Sequence, residues 1–218
     1  MDLFRDKLLL TKEYYEKKPL TPEEETLTQQ LNLSPLDKKE EEPEEEQEPP
    51  GRYLGHDVLQ GKIVGLYFSA GWCPPCQKFT PLLCALYDDL IARKSNFEVV
   101  FLSFDKNETE MEGYFRQAHR NWYVLPFDDP FKDELKLKYN VTAVPKFIII
   151  NKDGEIISSK GRKEVQDKGV IAFRNWTQTA SILEAKQSQA QIVSENTGGD
   201  PAKTVQFVEE SPEVTNES

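Results

Sequence analysis

Apolar residues gather in the middle of this chain, and there they fall into two periods. Residues 63–69 (IVGLYFS) and 97–104 (FEVVFLSF) are short apolar runs, each the length of one buried strand. Between them, Phe79, Leu83, Leu86 and Leu90 follow one another at steps of four, three and four, which predicts an amphipathic helix over 74–94. A second helix is expected over 107–120, with Met111, Tyr114, Phe115 and Ala118 on one side. Residues 122–127 read as a short extended piece and 131–139 as a short helix. Two strands follow, 146–151 (KFIIIN) and 155–159 (EIISS), joined through Lys152-Asp153-Gly154 as a tight hairpin. A last helix, 169–183, carries Ile171, Phe173, Trp176, Ala180 and Leu183. Strands first alternate with helices and then pair as a hairpin, so the fold class is α/β, a mixed sheet with helices on both faces.

The flanks lack such a period. Within 1–13, the apolar stretch predicts one N-terminal strand. Residues 14–51 read as an acidic, largely disordered insertion. Thr21-Pro22-Glu23-Glu24 has the form of a capping box, but the helix after it, to about Leu33, carries few apolar residues. The run KKEEEPEEEQEPP at 38–50 repels itself and is broken by prolines, which predicts a solvated spacer. Residues 52–184 form the domain, and 185–218, rich in Gln, Ser, Thr and Glu, read as a disordered acidic tail.

Charge follows the same division. Residues 1–50 hold 7 basic and 15 acidic residues, residues 185–218 hold 2 and 6, and residues 51–184 hold 18 and 17. The net charge of -11 therefore belongs to the flanks. No basic patch is visible for a nucleic-acid partner, and both flanks repel phosphate. No stretch approaches the ~20 apolar residues of a membrane helix. The opening MDLFRDKLLLTKEYY resembles neither a secretory signal nor a transit peptide, so the expected location is the cytoplasm. In a reducing compartment a close cysteine pair is reactive or metal-binding rather than structural.

That pair is Cys73 and Cys76, in Trp72-Cys73-Pro74-Pro75-Cys76. A strand ends just before it and a helix begins inside it. The first turn of a helix leaves N–H groups unpaired and carries about half a positive charge, which favours a thiolate. Thiols in such a setting commonly titrate at ~3.5–7.5 instead of ~8.5. Cys73, at the helix mouth, is expected to attack and Cys76, one turn on, to resolve. Pro74 and Pro75 stiffen the helix start and remove two N–H donors. A structural zinc site needs four ligands, and only Cys84, His56 and His119 remain, scattered along the chain, so no metal is expected. Cys84 reads as a semi-buried inert thiol, Asp105 as a turn cap, and Lys146 either as a solvated strand lysine or as a group that reaches an acidic substrate.

YFSAGWCPPC, the following FTPLL, FEVVFLSFD, WYVLPFDDP, YNVTAVPKFIIINKDGEI and KGRKEVQDKG together resemble the tryparedoxin, nucleoredoxin and nucleoredoxin-like family of the thioredoxin superfamily. The resemblance covers about residues 54–184. It implies a thioredoxin-like fold with a redox-active Cys73–Cys76 disulfide and a protein-disulfide reductase activity. It also implies a cis-proline at Val144-Pro145, with Trp72, Val144 and Pro145 shaping the substrate surface. No cofactor is implied; the implied partners are protein disulfides and an upstream dithiol reductant, with the chain a monomer. Many thioredoxins bury an aspartate six residues before the first cysteine; that position is Tyr67, a poor base at neutral pH. Some nucleoredoxin-like proteins lack an intact cysteine pair, and the family is associated with photoreceptor and sensory-neuron maintenance. The resemblance thus leaves a second expectation, a non-catalytic interaction or redox-sensing protein.

Overall fold

A computed structural model describes residues 3–17 and 50–196, the side chains of 191–196 aside. The chain divides into two compact units, residues 1–180 and 181–218; within the second, residues 181–196 are helical. The first unit is built on a seven-stranded mixed sheet of order β2-β1-β5-β4-β3-β6-β7. Its strands are β1 (Leu8–Leu10), β2 (Arg52–Leu54), β3 (Ile63–Ser69), β4 (Phe97–Ser103), β5 (Tyr123–Val124), β6 (Lys146–Ile150) and β7 (Ile156–Ser158). The helices are α1 (Lys12–Lys17), α2 (Gly55–Leu59), α3 (Pro74–Ala92), α4 (Glu108–Ala118), α5 (Phe131–Lys138), α6 (Gly161–Lys168) and α7 (Ile171–Asn196).

β3, β4 and β5 are parallel and adjacent, so α3 and α4 connect successive strands in one direction across the sheet. Right-handed crossovers taken in one direction put both helices on the same face. Accordingly one cluster joins Phe79, Leu83 and Leu90 of α3 and Met111 and Phe115 of α4 to Tyr67, Phe97, Phe101 and Phe147 of the sheet. The chain then passes beneath through α5, and β6 enters antiparallel on the other side of β3. Phe131 and Leu135 of α5 cover Val64, Leu66, Phe68 and Ile148 on that second face. Every residue of β3 and β4 is buried, which is why both read as mainly apolar runs, interrupted by Glu98 and the terminal serines, instead of alternating ones. Gly65 has no alternative at its position: a Cβ there would meet the Phe147 ring at 2.5 Å.

The expected strand within 1–13 is β1, which lies inside the sheet between β2 and β5. Two expectations need correction. Residues 14–17, read as the start of the disordered insertion, belong to α1, where Tyr15 is buried. Tyr15 packs edge-on against Phe115, and the Lys12 ammonium binds the carbonyls of Arg116 and His119 at the end of α4. Residues 185–196, read as tail, continue α7. Helix α6 was unpredicted: Val165 is its one buried large apolar side chain, too little for a visible period. Elements β2 and α2 were likewise unpredicted. The expected helix after Thr21 and the run at 38–50 lie outside the described residues, as do residues 197–218. Among the described residues no helix is long and apolar enough to cross a membrane.

Candidate active site

Two neighbouring parallel strands end at Ser69 and Ser103, and the loops above them build the site. Phe104 N–H donates to the Ser69 carbonyl at 2.8 Å, so the pairing of β3 and β4 extends into these loops. Asp105 then ties the loops together. Its carboxylate accepts from the Gly71 N–H at 2.7 Å and from the Ser103 hydroxyl at 2.7 Å, while its own N–H donates to the Ser103 oxygen. It is a turn cap, as expected, and also a brace for the segment that carries the cysteines.

Cys73 is the N-cap of α3, in extended conformation, with Pro74 and Pro75 in the first two helical positions. The prolines have no N–H to offer, so the first available donor of the helix is Cys76. That N–H points at the Cys73 sulfur, 3.4 Å away, and at the Cys73 carbonyl, 3.0 Å away. Cys73 and Cys76 form a disulfide, with Cα atoms 5.2 Å apart. Cys76 is fully buried and Cys73 nearly so, while Pro74 and Pro75 are exposed. Val144-Pro145 is a cis peptide, and the Val144 carbonyl lies 3.8 Å from the Cys73 sulfur. Pro145 is buried and Val144 half-buried. Trp72 is 55% exposed, and its indole N–H donates to the Phe104 carbonyl at 3.0 Å, which holds the ring beside the disulfide. All seven residues singled out from the sequence therefore meet at one place.

Behind Cys76 lies a group of hydroxyls. Thr80, one turn further along α3, donates to the Cys76 carbonyl at 3.0 Å. The Thr80 hydroxyl oxygen also lies 2.8 Å from the Tyr67 hydroxyl and 2.6 Å from that of Tyr114. A hydroxyl has one proton and two lone pairs, so Thr80 gives its proton to Cys76 and takes one from each tyrosine. Burial pushes the Tyr67 phenol above its ordinary range, with the Tyr114 phenol adding to the shift, so it stays protonated. Thr80 sits four residues after Cys76 on the same helix face, a spacing visible in the sequence. Tyr114 and Phe104 reach the site through loops and crossovers, and no sequence pattern points to them. Phe104 packs with Val144 against Ala70, Cys73 and Cys76.

Cys84 is a free, buried thiol whose sulfur lies 3.4 Å from the Ala118 carbonyl, and burial raises its pKa. Lys146 opens β6 directly after Pro145. His119 is buried under aromatic rings, and among the described residues no group of three or more His, Cys, Asp or Glu is placed to hold a metal.

A family model described as thioredoxin-like matches residues 61–156. Tryparedoxin of Trypanosoma brucei brucei is 44% identical over 109 residues, which cover 49% of this chain and 74% of that protein. The chain belongs to the tryparedoxin and nucleoredoxin-like family of the thioredoxin superfamily. Human nucleoredoxin-like protein 1 is 30% identical over 131 residues, 58% of this chain and 62% of its own length. The crystal structure of a thioredoxin from Wuchereria bancrofti superposes with a TM-score of 0.57 at 29% identity, covering 85% of this chain and 99% of that one. The chain spans only 24% and 21% of two plant nucleoredoxins that it also matches, from Oryza sativa subsp. japonica and Arabidopsis thaliana. Membership in this family supports a redox function.

Proposed function

We propose that this chain is a thiol–disulfide oxidoreductase that reduces protein disulfides through Cys73 and Cys76. One observation carries the reading: Cys73 caps the N-terminus of α3, and the N–H of its partner cysteine points at its sulfur. A thiolate at that position gains from the helix dipole and from a charge-assisted hydrogen bond. In the reduced protein the Cys73 thiolate attacks a substrate disulfide, forms a mixed disulfide and expels one substrate thiolate. Cys76 then attacks the Cys73 sulfur, closes the Cys73–Cys76 disulfide and releases the second substrate thiol. Two electrons pass to the substrate; the proton lost by Cys76 ends on one departing thiolate, and the other takes its proton from solvent. Tyr67 takes no proton in this scheme, because its phenol is held above its ordinary pKa. An external dithiol, as found in a reducing compartment such as the cytoplasm, returns the pair to its starting state. Trp72, Val144 and Pro145 form the docking surface, with the Val144 backbone available to pair with an extended substrate.

The test is a protein-disulfide reduction assay with a dithiol donor. Wild type should turn over, and Cys73→Ser should fall to the uncatalysed background. Cys76→Ser should accumulate a mixed disulfide on Cys73, visible by mass spectrometry and released by reductant. Equal and negligible rates for wild type and Cys73→Ser would sink the proposal.

A further inference from the structure

The surface beside the disulfide carries an electrostatic signature. Phe104, half-buried, packs against the cysteine cluster, and the Lys136 ammonium of α5 lies 5.5 Å from its ring centroid. Phe104 also meets Phe68 edge-on at 6.2 Å. Phe68 in turn pairs across the sheet with Lys146, the residue that follows cis-Pro145. Paired residues of neighbouring strands share a face, so Lys146 emerges on the side of the sheet that α5 covers. Lys136 and Lys146 therefore belong to the same face of the sheet as Phe104 and Phe68. Lys136 is exposed, Lys146 is half-buried, and neither makes an ion pair among the described residues.

Asp105, the carboxylate that braces the cysteine loop, is turned inward. Both oxygens of Asp105 are bonded within the loops. Two lysines that make no ion pair among the described residues, on the face beside an exposed tryptophan and the disulfide, favour negative charge on whatever docks there.

Resting on the redox reading above, we propose that Lys136 and Lys146 are specificity-determining residues, and that the preferred substrates are disulfides whose cysteines are flanked by aspartate or glutamate. A substrate laid along the Val144 backbone directs alternate side chains to the two sides of its strand. The side chains on the α5 side reach the two ammonium groups. The covalent step is the exchange already given and is unchanged; the lysines act on encounter and docking.

Two synthetic peptide disulfides separate this inference from the redox reading. They share a sequence except that glutamates flank the cysteine in one and glutamines in the other. Each is reduced by the full chain with a dithiol donor. Exposed charge pairs make modest contributions, so kcat/KM for the glutamate peptide should exceed that for the glutamine peptide by about threefold to tenfold at low ionic strength. The ratio should fall towards unity in high salt and in the double variant Lys136→Gln/Lys146→Gln. That variant should reduce the glutamine peptide as fast as wild type does, which excludes general damage. Equal rates for the two peptides with wild type at low salt overturn the charge inference and leave the redox reading standing. An unchanged ratio in the double variant does the same. Failure to reduce either peptide overturns both.

Discussion

His119 is 2% exposed, and among the described residues neither ring nitrogen has a hydrogen-bond partner. The imidazole is ringed by Phe101, Tyr114 and Trp122, with centroids 4.5, 4.6 and 4.9 Å away. Burial lowers its pKa from an ordinary 6.5 to about 3, and the Lys12 ammonium adds to the shift. The folded protein therefore holds His119 neutral, whereas the unfolded chain protonates it below its ordinary value. Between those two pKa values the unfolded state binds the extra proton, so this residue makes stability fall as pH drops from 6.5 towards 3. From pH 7 to pH 5 the loss should be about 2 kcal/mol, at ~1.4 kcal/mol for each pKa unit. Glu98 works the other way, because burial raises its carboxyl pKa against the pull of Lys62. The clean measurement is thus the difference between wild type and His119→Phe in urea unfolding at the two pH values. The variant should lose about 2 kcal/mol less than wild type on acidification. Parallel losses in the two proteins would show that the histidine stays uncharged in both states, or that it titrates normally in the fold.

At the scale of elements, Gly65 shows how closely β3 and β6 are packed. Its missing side chain makes room for the Phe147 ring, which also meets Tyr67 edge-on at 6.1 Å and Phe79 at 6.1 Å. Gly65→Ala forces that ring to move in a filled core, and the expected cost is about 1–3 kcal/mol, read as a lower urea midpoint with an unchanged slope. An unaltered midpoint would mean that Phe147 has space to retreat. What made an element legible in the sequence was the amount of apolar surface it buries. Helix α3 buries Phe79, Leu83, Leu86 and Leu90 and announces itself by their spacing, as do the fully buried strands β3 and β4. Helix α6 buries Gly161 and Val165, and the periodicity carries almost nothing. Its available signal was Gly169, which ends the helix at a φ of +52°. The cysteines and their prolines were legible as a motif, and Thr80 as the residue one turn on from Cys76. Asp105 was legible as a strand end but not as the brace of Gly71, since 34 residues separate the two and only the parallel pairing of β3 with β4 brings them together.

For the molecule as a whole, the least obvious contribution comes from the first dozen residues. β1 pairs with β2 through Leu10 and Arg52, across the insertion, and with β5 through Leu10 and Val124. Its side chains serve both faces: Leu10 joins the cluster under α3 and α4, whereas Leu9 joins the one under α5. Phe4 adds to the second cluster and meets Phe131 edge-on at 5.3 Å, and the Lys7 ammonium sits 4.4 Å over the same ring. Burying each of these large apolar side chains contributes roughly 1.5–3 kcal/mol. Three of them together rival the ~5–15 kcal/mol that holds an ordinary domain folded. A chain that begins at Gly51 should therefore fail to give a cooperative unfolding transition, although it retains both cysteines and the whole thioredoxin-like match. Shortening the insertion is a different operation. Removing residues 30–45 from the full chain halves the 18–49 segment, whose sequence predicts a solvated spacer, and for such a spacer halving the length changes the closure cost by only ~0.6 kcal/mol. That variant should unfold near the wild-type urea midpoint and keep its disulfide-reduction rate. If the chain starting at Gly51 unfolds at the full-length midpoint, β1 is an ornament on the sheet and the contacts of Phe4, Leu9 and Leu10 contribute nothing to its stability.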